Sequence, residues 1–301
     1  MSKPLQPVKI DKREGGGFSR VLRRAKQWTK RWLKHGFLPR LVRKTIRLML
    51  YELFHEVERS RLTSEMVLAE MKKTSFVRVS GTTHEIVFWD RLLAQGMDSN
   101  AKKRQIGKYH LDYLQELTKR FPVDQVSILD VGSGPFTTIG AYFDEVQLNI
   151  TAVDPLATYY DCLAQKYAID RPVKTIFAEA EKLSASFAPE SFVWVNAENS
   201  IDHTSQPVDA IREMIALVKP GGMLTLRHRK NEAELELYSG FHQWNFFQEN
   251  GIFYVCGRER SIAVNINEMV PSDWKTRVYD SDWGGKANEG EYVYFEARRP
   301  L

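Results

Sequence analysis

Between about Ser127 and Arg229 the chain alternates short apolar runs with amphipathic ones, and this alternation limits the possible folds more than any other feature. The runs are "VSILDV", "GPFTTIGAYF", "LNITAVD", "TYYDCLAQKYA", "VKTIFA", "FVWVNA", "PVDAIREMIALV" and "MLTLRH". Read in order they predict strand, helix, strand, helix, strand, strand, helix, strand. Strands separated by helical crossovers pair in parallel, and their helices must cover both faces of the sheet. The segments "GIFYVCG", "SIAVNIN" and "EYVYFEARR" predict further strands, antiparallel ones that close the sheet edge. The chain carries no internal repeat and no low-complexity tract.

The first predicted strand runs into "DVGSGPF", where Gly132 and Gly134 form a turn. Glycine has no Cβ, so its backbone can approach a ligand closely, and a helix that follows aims free N–H groups at it. A dinucleotide fingerprint would place a third glycine where this chain has Phe136 and Thr137. A Gly-x-Gly alone is also compatible with a tight structural turn, so its surroundings have to decide. The second strand ends in Asp154, about twenty residues past the glycines, where a carboxylate can accept both hydroxyls of a ribose. The third ends in Glu179, placed to face the amino edge of an adenine. Acids at three successive strand ends, with no Lys in the glycine loop, suit a ligand that has adenosine but no phosphate.

On those residues the chain resembles a known family. "ILDVGSGP", "AVDP", "AEAEKL" and "ENSIDHTSQPVDAIREMIALVKPGGMLTLRH" are similar to successive motifs of the class I S-adenosylmethionine-dependent methyltransferases, over roughly residues 125–230. The resemblance implies a Rossmann-like, doubly wound α/β fold with a seven-stranded sheet and helices on both faces, here with an N-terminal helical extension. It implies S-adenosyl-L-methionine as cofactor. Asp130, Gly132, Ser133 and Gly134 would cradle the methionine part, Asp154 with Pro155 the ribose, and Glu179 with the Ala180 amide the adenine. Pro220 and Gly221 would shape a turn and touch no ligand. "FWDRLLAQG", "DPLATYYDCLA", "NSIDHT" and "GFHQWNF" resemble a bacterial group linked to glycan and polysaccharide modification.

In-line methyl transfer from a sulfonium gains most from positioning and the exclusion of water, but a hydroxyl acceptor must also lose a proton, for which histidine is the usual base. Of seven histidines, His203 follows the fourth strand and His228 ends the fifth, both at the edge where an acceptor must lie. Arg227, Arg229 and Lys230 around His228 should depress its pKa. His242 sits in "GFHQWNF", where an indole face and amides suit a sugar, so Gln243, Trp244 and Asn245 join Asp202 as candidate substrate contacts. Asp202 should point away from His203 in a regular backbone and order the loop or bind substrate. Asn199 is either a turn residue or a contact to the amino-acid tail of the cofactor. For His203 and the "FHQWN" cluster the plain alternatives are a loop hydrogen bond and a buried helix face. Asp202, His203 and His242 could meet in space, but no ligand spacing announces a metal, and none is predicted.

Charge is distributed unevenly. Residues 1–50 carry fifteen Lys or Arg against Asp11 and Glu14, a balance of +13, so the rest of a chain of net charge +5 carries −8. Residues 1–17 end in "GGG" and predict a disordered leader. Phe18, Val21, Leu22, Ala25, Trp28, Trp32 and Leu33 recur at helical steps and open a basic helical region, 18–100, that caps a methyltransferase domain over 101–301. Within it a second helix runs from near Arg40 toward Lys73, and "THEIVFWDRLLAQG" predicts another, stopped by Gly96. The basic arm has three competing uses: an anionic membrane surface, a cap or docking site for a partner protein, and, ranked last, nucleic acid. Two distant cysteines and no apolar run of about 18 residues point to a reducing, cytoplasmic setting, with peripheral attachment to the inner membrane face as an extension of it. The reaction expected is O-methylation of a glycan or lipid-linked glycan precursor. RNA methylation and a non-catalytic scaffold of the same fold remain its rivals.

Overall fold

A computed structural model describes residues 76–95, 111–281 and 291–301. The chain divides into two units, Met1–Glu65 and Met66–Leu301, and the described residues all belong to the second. The predicted leader, the basic region before residue 76 and the expected helix stop at Gly96 lie outside the described residues.

The main sheet has seven strands in the order β5-β4-β1-β6-β7-β12-β11. They are β1 (Ser127–Val131), β4 (Asn149–Val153), β5 (Thr175–Ile176), β6 (Phe192–Glu198), β7 (Val218–Arg229), β11 (Lys275–Ser281) and β12 (Tyr292–Arg298). Pairings from β5 to β7 are parallel, and β12 runs antiparallel to both β7 and β11. Every residue of β6 is buried, as a central strand covered on both faces requires. Period-two alternation sends Leu129, Val131, Val195 and Ala197 into one core and Ile128, Trp194 and Met223 into another on the opposite face. This is the Rossmann-like doubly wound sheet expected from the sequence.

Helices cover the sheet as their apolar spacing dictates. Helix α1 (Phe76–Ala94) and α2 (Leu111–Thr118) precede it, and α3 (Ala157–Lys166) and α4 (Pro207–Ala216) form crossovers. Pro207 opens α4 at a position where no N–H is needed, and Ala210, Ile211 and Met214 turn one stripe to the core. A short α5 (Glu232–Leu235) follows β7. No helix among the described residues is long and apolar enough to cross a membrane.

Three sequence expectations are corrected here. "GPFTTIGAYF" is not a helix: residues 132–141 form an irregular turn leading into a small hairpin of β2 (Tyr142–Phe143) and β3 (Val146–Gln147). The Asp130 carboxylate accepts from Thr137 Oγ1 at 2.6 Å and from the Thr138 amide at 3.3 Å, and these bonds hold the chain off a helical path. "GIFYVCG" and "SIAVNIN" do not close the main sheet; they give β9 (Ile252–Cys256) and β10 (Val264–Asn265), paired with β8 (Asn245–Glu249) in a separate three-stranded sheet. The edge is closed instead by β12 with β11, whose sequence "KTRVYDS" had suggested no strand.

Strand register creates a buried polar row on the α2 side of the sheet. Asp130 on β1 lies opposite Asn196 on β6, which lies opposite Thr225 on β7. Trp194 Nε1 donates to Thr225 Oγ1, Thr225 Oγ1 to Asn196 Oδ1, and Asn196 Nδ2 to Asp130 Oδ1, at 2.7, 2.8 and 2.8 Å. Replacing Asn196 by Leu would strand a buried hydroxyl donor and remove a carboxylate partner. The expected loss is about 2–3 kcal/mol in denaturant unfolding, well beyond the cost of a surface substitution.

Candidate active site

The ends of β1, β4 and β6 open into one cavity of about 1030 Å³. Ligands in open α/β sheets collect at such carboxyl ends, and the volume exceeds the usual upper range for a single small ligand, leaving space for a cofactor and an acceptor together. Gly132, Ser133, Gly134, Asp154, Pro155, Glu179, Ala180 and Asn199, all predicted cofactor residues, line it.

The glycine turn is held from below and above. Gly132 and Ser133 donate to the Val153 carbonyl at 2.8 and 3.1 Å. Gly132 and Gly134 sit at φ 67° and 63°, where L side chains are strained. A Cβ on Gly132 would also collide with Ser200, and one on Gly134 would lie 3.1 Å from the Trp89 ring of α1. Asp130 borders the cavity, but Asn196, Thr137 and Thr138 engage its carboxylate, so it shapes the turn where the sequence had suggested contact with the methionine tail.

Asp154 differs. It accepts from the Gly134 amide at 3.1 Å and from the Leu156 amide at 2.8 Å, with no cationic side chain bonded to it among the described residues. Burial outweighs those two bonds and pushes its pKa up to about 6. A buried carboxylate at a strand end, short of donors, fits the hydroxyls of a ribose. Glu179 pairs with Lys182 at 2.5 Å at the rim. Asn199, at φ 47°, accepts from the Arg229 amide at 3.0 Å and so ties the ends of β6 and β7 together while bordering the cavity. These residues fit an adenosine-bearing cofactor.

The opposite wall comes from three elements. Helix α1 contributes His84, Glu85, Phe88, Trp89 and Leu92, at the steps that put residues on one helix face. The turn Ile201–His203 contributes His203, and the loop before β8 contributes Phe241, His242, Gln243 and Trp244. Glu85 and His84 were missed in the sequence; "THE" ahead of "IVFWDRLL" reads as an ordinary helix start.

Asp202, 1% exposed and not itself lining the cavity, is buried against two of the wall's histidines. Contrary to the expectation that it points away, the 3-10 turn folds its carboxylate back: Oδ2 lies 2.9 Å from His242 Nδ1 and 3.4 Å from His203 Nε2. The two imidazole nitrogens are 3.2 Å apart, and His203 Nδ1 is 3.9 Å from Glu85 Oε1. Burial raises the pKa of Asp202, but His203, the bond from His242 and the nearby His228 together hold it below the usual carboxylate range. His242 is pushed up to about 9, because its bond and attraction to Asp202 outweigh burial. Glu232, at the start of α5, is raised mainly by burial and then by Asp202.

His228 and Asn245 leave the candidate set. His228 stacks on Phe246 at 4.0 Å, is 1% exposed and does not border the cavity. Its pKa falls to about 4, with burial rather than the flanking cations as the main cause. Asn245, fully buried, spends its amide on the Glu234 N–H, Tyr238 Oη and the Gly257 carbonyl. Gln243 and Trp244 do border the cavity, with Gln243 Nε2 donating to the Tyr238 and Gly240 carbonyls and Trp244 Nε1 to the Thr204 carbonyl.

Residues 129–226 match the family described as "Methyltransferase domain". Fumosorinone synthetase of Cordyceps fumosorosea is 26% identical over 167 residues, a stretch that is 52% of this chain and only 4% of that synthetase. Among solved structures, a possible histamine N-methyltransferase of Thermotoga maritima is 16% identical with a TM-score of 0.41, covering 72% of this chain and 100% of its own. Phosphoethanolamine N-methyltransferase 2 of Haemonchus contortus, solved in complex with S-adenosyl-L-methionine, is 14% identical with a TM-score of 0.46, covering 76% of this chain and 61% of its own. Over residues 129–226 the chain is thus similar to a methyltransferase domain.

Proposed function

We propose that the protein transfers a methyl group to a hydroxyl oxygen of a polyhydroxylated, glycan-type acceptor, and that His203 takes the hydroxyl proton. The carrying observation is that the cofactor residues, His203 and His242 line one cavity, with Asp202 buried against both imidazoles. S-adenosyl-L-methionine, when bound, supplies an activated methyl on a sulfonium. Asp154 holds the ribose hydroxyls, and Glu179 with the Ala180 amide holds the adenine edge. The acceptor proton goes to His203 Nδ1, the ring nitrogen turned away from Asp202 and 3.9 Å from Glu85 Oε1. His242, already cationic at neutral pH, serves as a fixed charge rather than a base.

A sugar-like acceptor is supported by the Trp244 ring, whose N–H is already engaged, and by Gln243, whose amide nitrogen is engaged and whose Oε1 remains an acceptor. The +13 arm of residues 1–50 supports a lipid-linked form of that acceptor, met at an anionic membrane surface. These proposals go beyond the fold likeness and rest on the cavity residues and the charge of the arm.

Three measurements follow. In calorimetry Asp154→Ala should weaken cofactor binding by at least about tenfold, or 1.4 kcal/mol, and unchanged affinity would remove Asp154 from the ribose site. His203→Ala should lower the methyl-transfer rate by roughly 10²–10⁴-fold with cofactor affinity retained. The His242 pKa is raised in the folded state, so the stabilisation it draws from Asp202 is fully present below its unfolded value near 6.5 and is lost as pH climbs through about 9. Thermal melts between those values should therefore fall with pH in the wild type and flatten in Asp202→Asn.

A further inference from the structure

We propose that Asp202, His203 and His242 form a binding site for a divalent transition-metal ion of the kind imidazole ligands select, zinc being the representative. It stands on the arrangement of these side chains alone and does not rest on the methyl-transfer reading.

Three donor atoms from segments 40 residues apart converge: Asp202 Oδ2, His203 Nε2 and His242 Nδ1 form a triangle with sides of 2.9, 3.2 and 3.4 Å. An ion at the usual ~2.1 Å from imidazole nitrogen and carboxylate oxygen reaches all three from about 1 Å above that plane, with angles at the metal of roughly 90–110°. Such an arrangement occupies one face of a tetrahedral or octahedral shell and leaves the remaining positions open. Two imidazoles and one carboxylate favour zinc, iron or manganese over magnesium or calcium, which prefer oxygen shells. The rings cross at 75°, so the two nitrogens approach one point without the rings stacking.

The surroundings supply what such a site needs. Asp202 is 1% exposed, its ion-pair partners among the described residues are all imidazoles, and its Oδ1 has no hydrogen bond among them. A buried carboxylate so placed gains from a compact cation. Glu85 Oε1 lies 3.9 Å from His203 Nδ1, beyond hydrogen-bond reach, and adds negative charge beside the ligating ring. His84, Glu85 and His242 form a second group whose donor atoms lie within 4.8 Å of one another.

The test uses the full chain stripped with chelator, dialysed and titrated with zinc chloride in the absence of cofactor, with metal content measured by emission spectroscopy and cobalt(II) substitution followed by visible absorption. One equivalent per chain is expected, with proton release on binding and a four- to five-coordinate cobalt spectrum, and millimolar magnesium should not compete. His203→Ala and His242→Ala should each weaken zinc binding by at least the roughly 10–100-fold that loss of even an outer-shell partner costs. If His242→Ala melts early, His203→Ala, whose ring is 22% exposed, gives the same readout in a folded protein. Absence of stoichiometric zinc binding to the wild type, or unchanged affinity in folded His203→Ala, overturns the proposal. Neither result bears on whether methyl transfer occurs, because no cofactor is present.

Discussion

The site depends on a line of buried hydrogen bonds that crosses three strands and ends on one carboxylate. Trp194, Thr225 and Asn196 each donate to the next group along, and the last donation reaches Asp130, which also takes Thr137 and Thr138 from the loop beyond its own strand. In a low-dielectric core, donors aligned toward a charge strengthen one another, and none can be removed without leaving a partner bare. The row therefore fixes the spacing of β1, β6 and β7 and, through Thr137 and Thr138, the path of the glycine turn. On the next strand Glu296, opposite Thr225, gathers Tyr113, Tyr279 and Arg298, so the polar row continues to the antiparallel edge.

Two buried carboxylates, Asp154 lining the cavity and Asp202 held by two of its wall's histidines, are tuned in opposite directions by their neighbours. Asp154 accepts from two backbone amides, and burial prevails, raising its pKa to about 6. Asp202 meets imidazoles, and their attraction prevails over an even deeper burial. The first is suited to neutral hydroxyl donors and the second to cations. His203, which lines the cavity, pairs with Asp202.

Much of the fold was legible because strands and crossover helices carry opposite periodicities. "FVWVNA" and "PVDAIREMIALV" each match one element, and Asp154 and Asn199 fall at strand ends by counting alone. The irregular turn after Gly134 was misread because "PFTTIG" has apolar spacing compatible with a helix, while the forces that decide it come from Asp130 on the preceding strand. Strand β11 was missed since "KTRVYDS" lies at the sheet edge with little apolar content. His228 and Asn245 looked functional by position, and only the packing of Phe246 and of the Tyr238 loop shows them enclosed. The meeting of His203 and His242 on Asp202 depends on a loop returning 40 residues later, a distance over which local sequence carries no signal.

The contact of Trp89 with Gly134 separates two kinds of change that the protein can undergo. Trp89 also packs on Phe136 and Tyr160, so its helix rests on the residues that form the floor, while the same helix exposes Glu85 and His84 to the cavity one turn away. Exchanging those exposed positions would remodel the ceiling and leave the floor intact. A lineage could in this way acquire new acceptors by small edits to a single helix while inheriting its methyl-donor chamber unaltered.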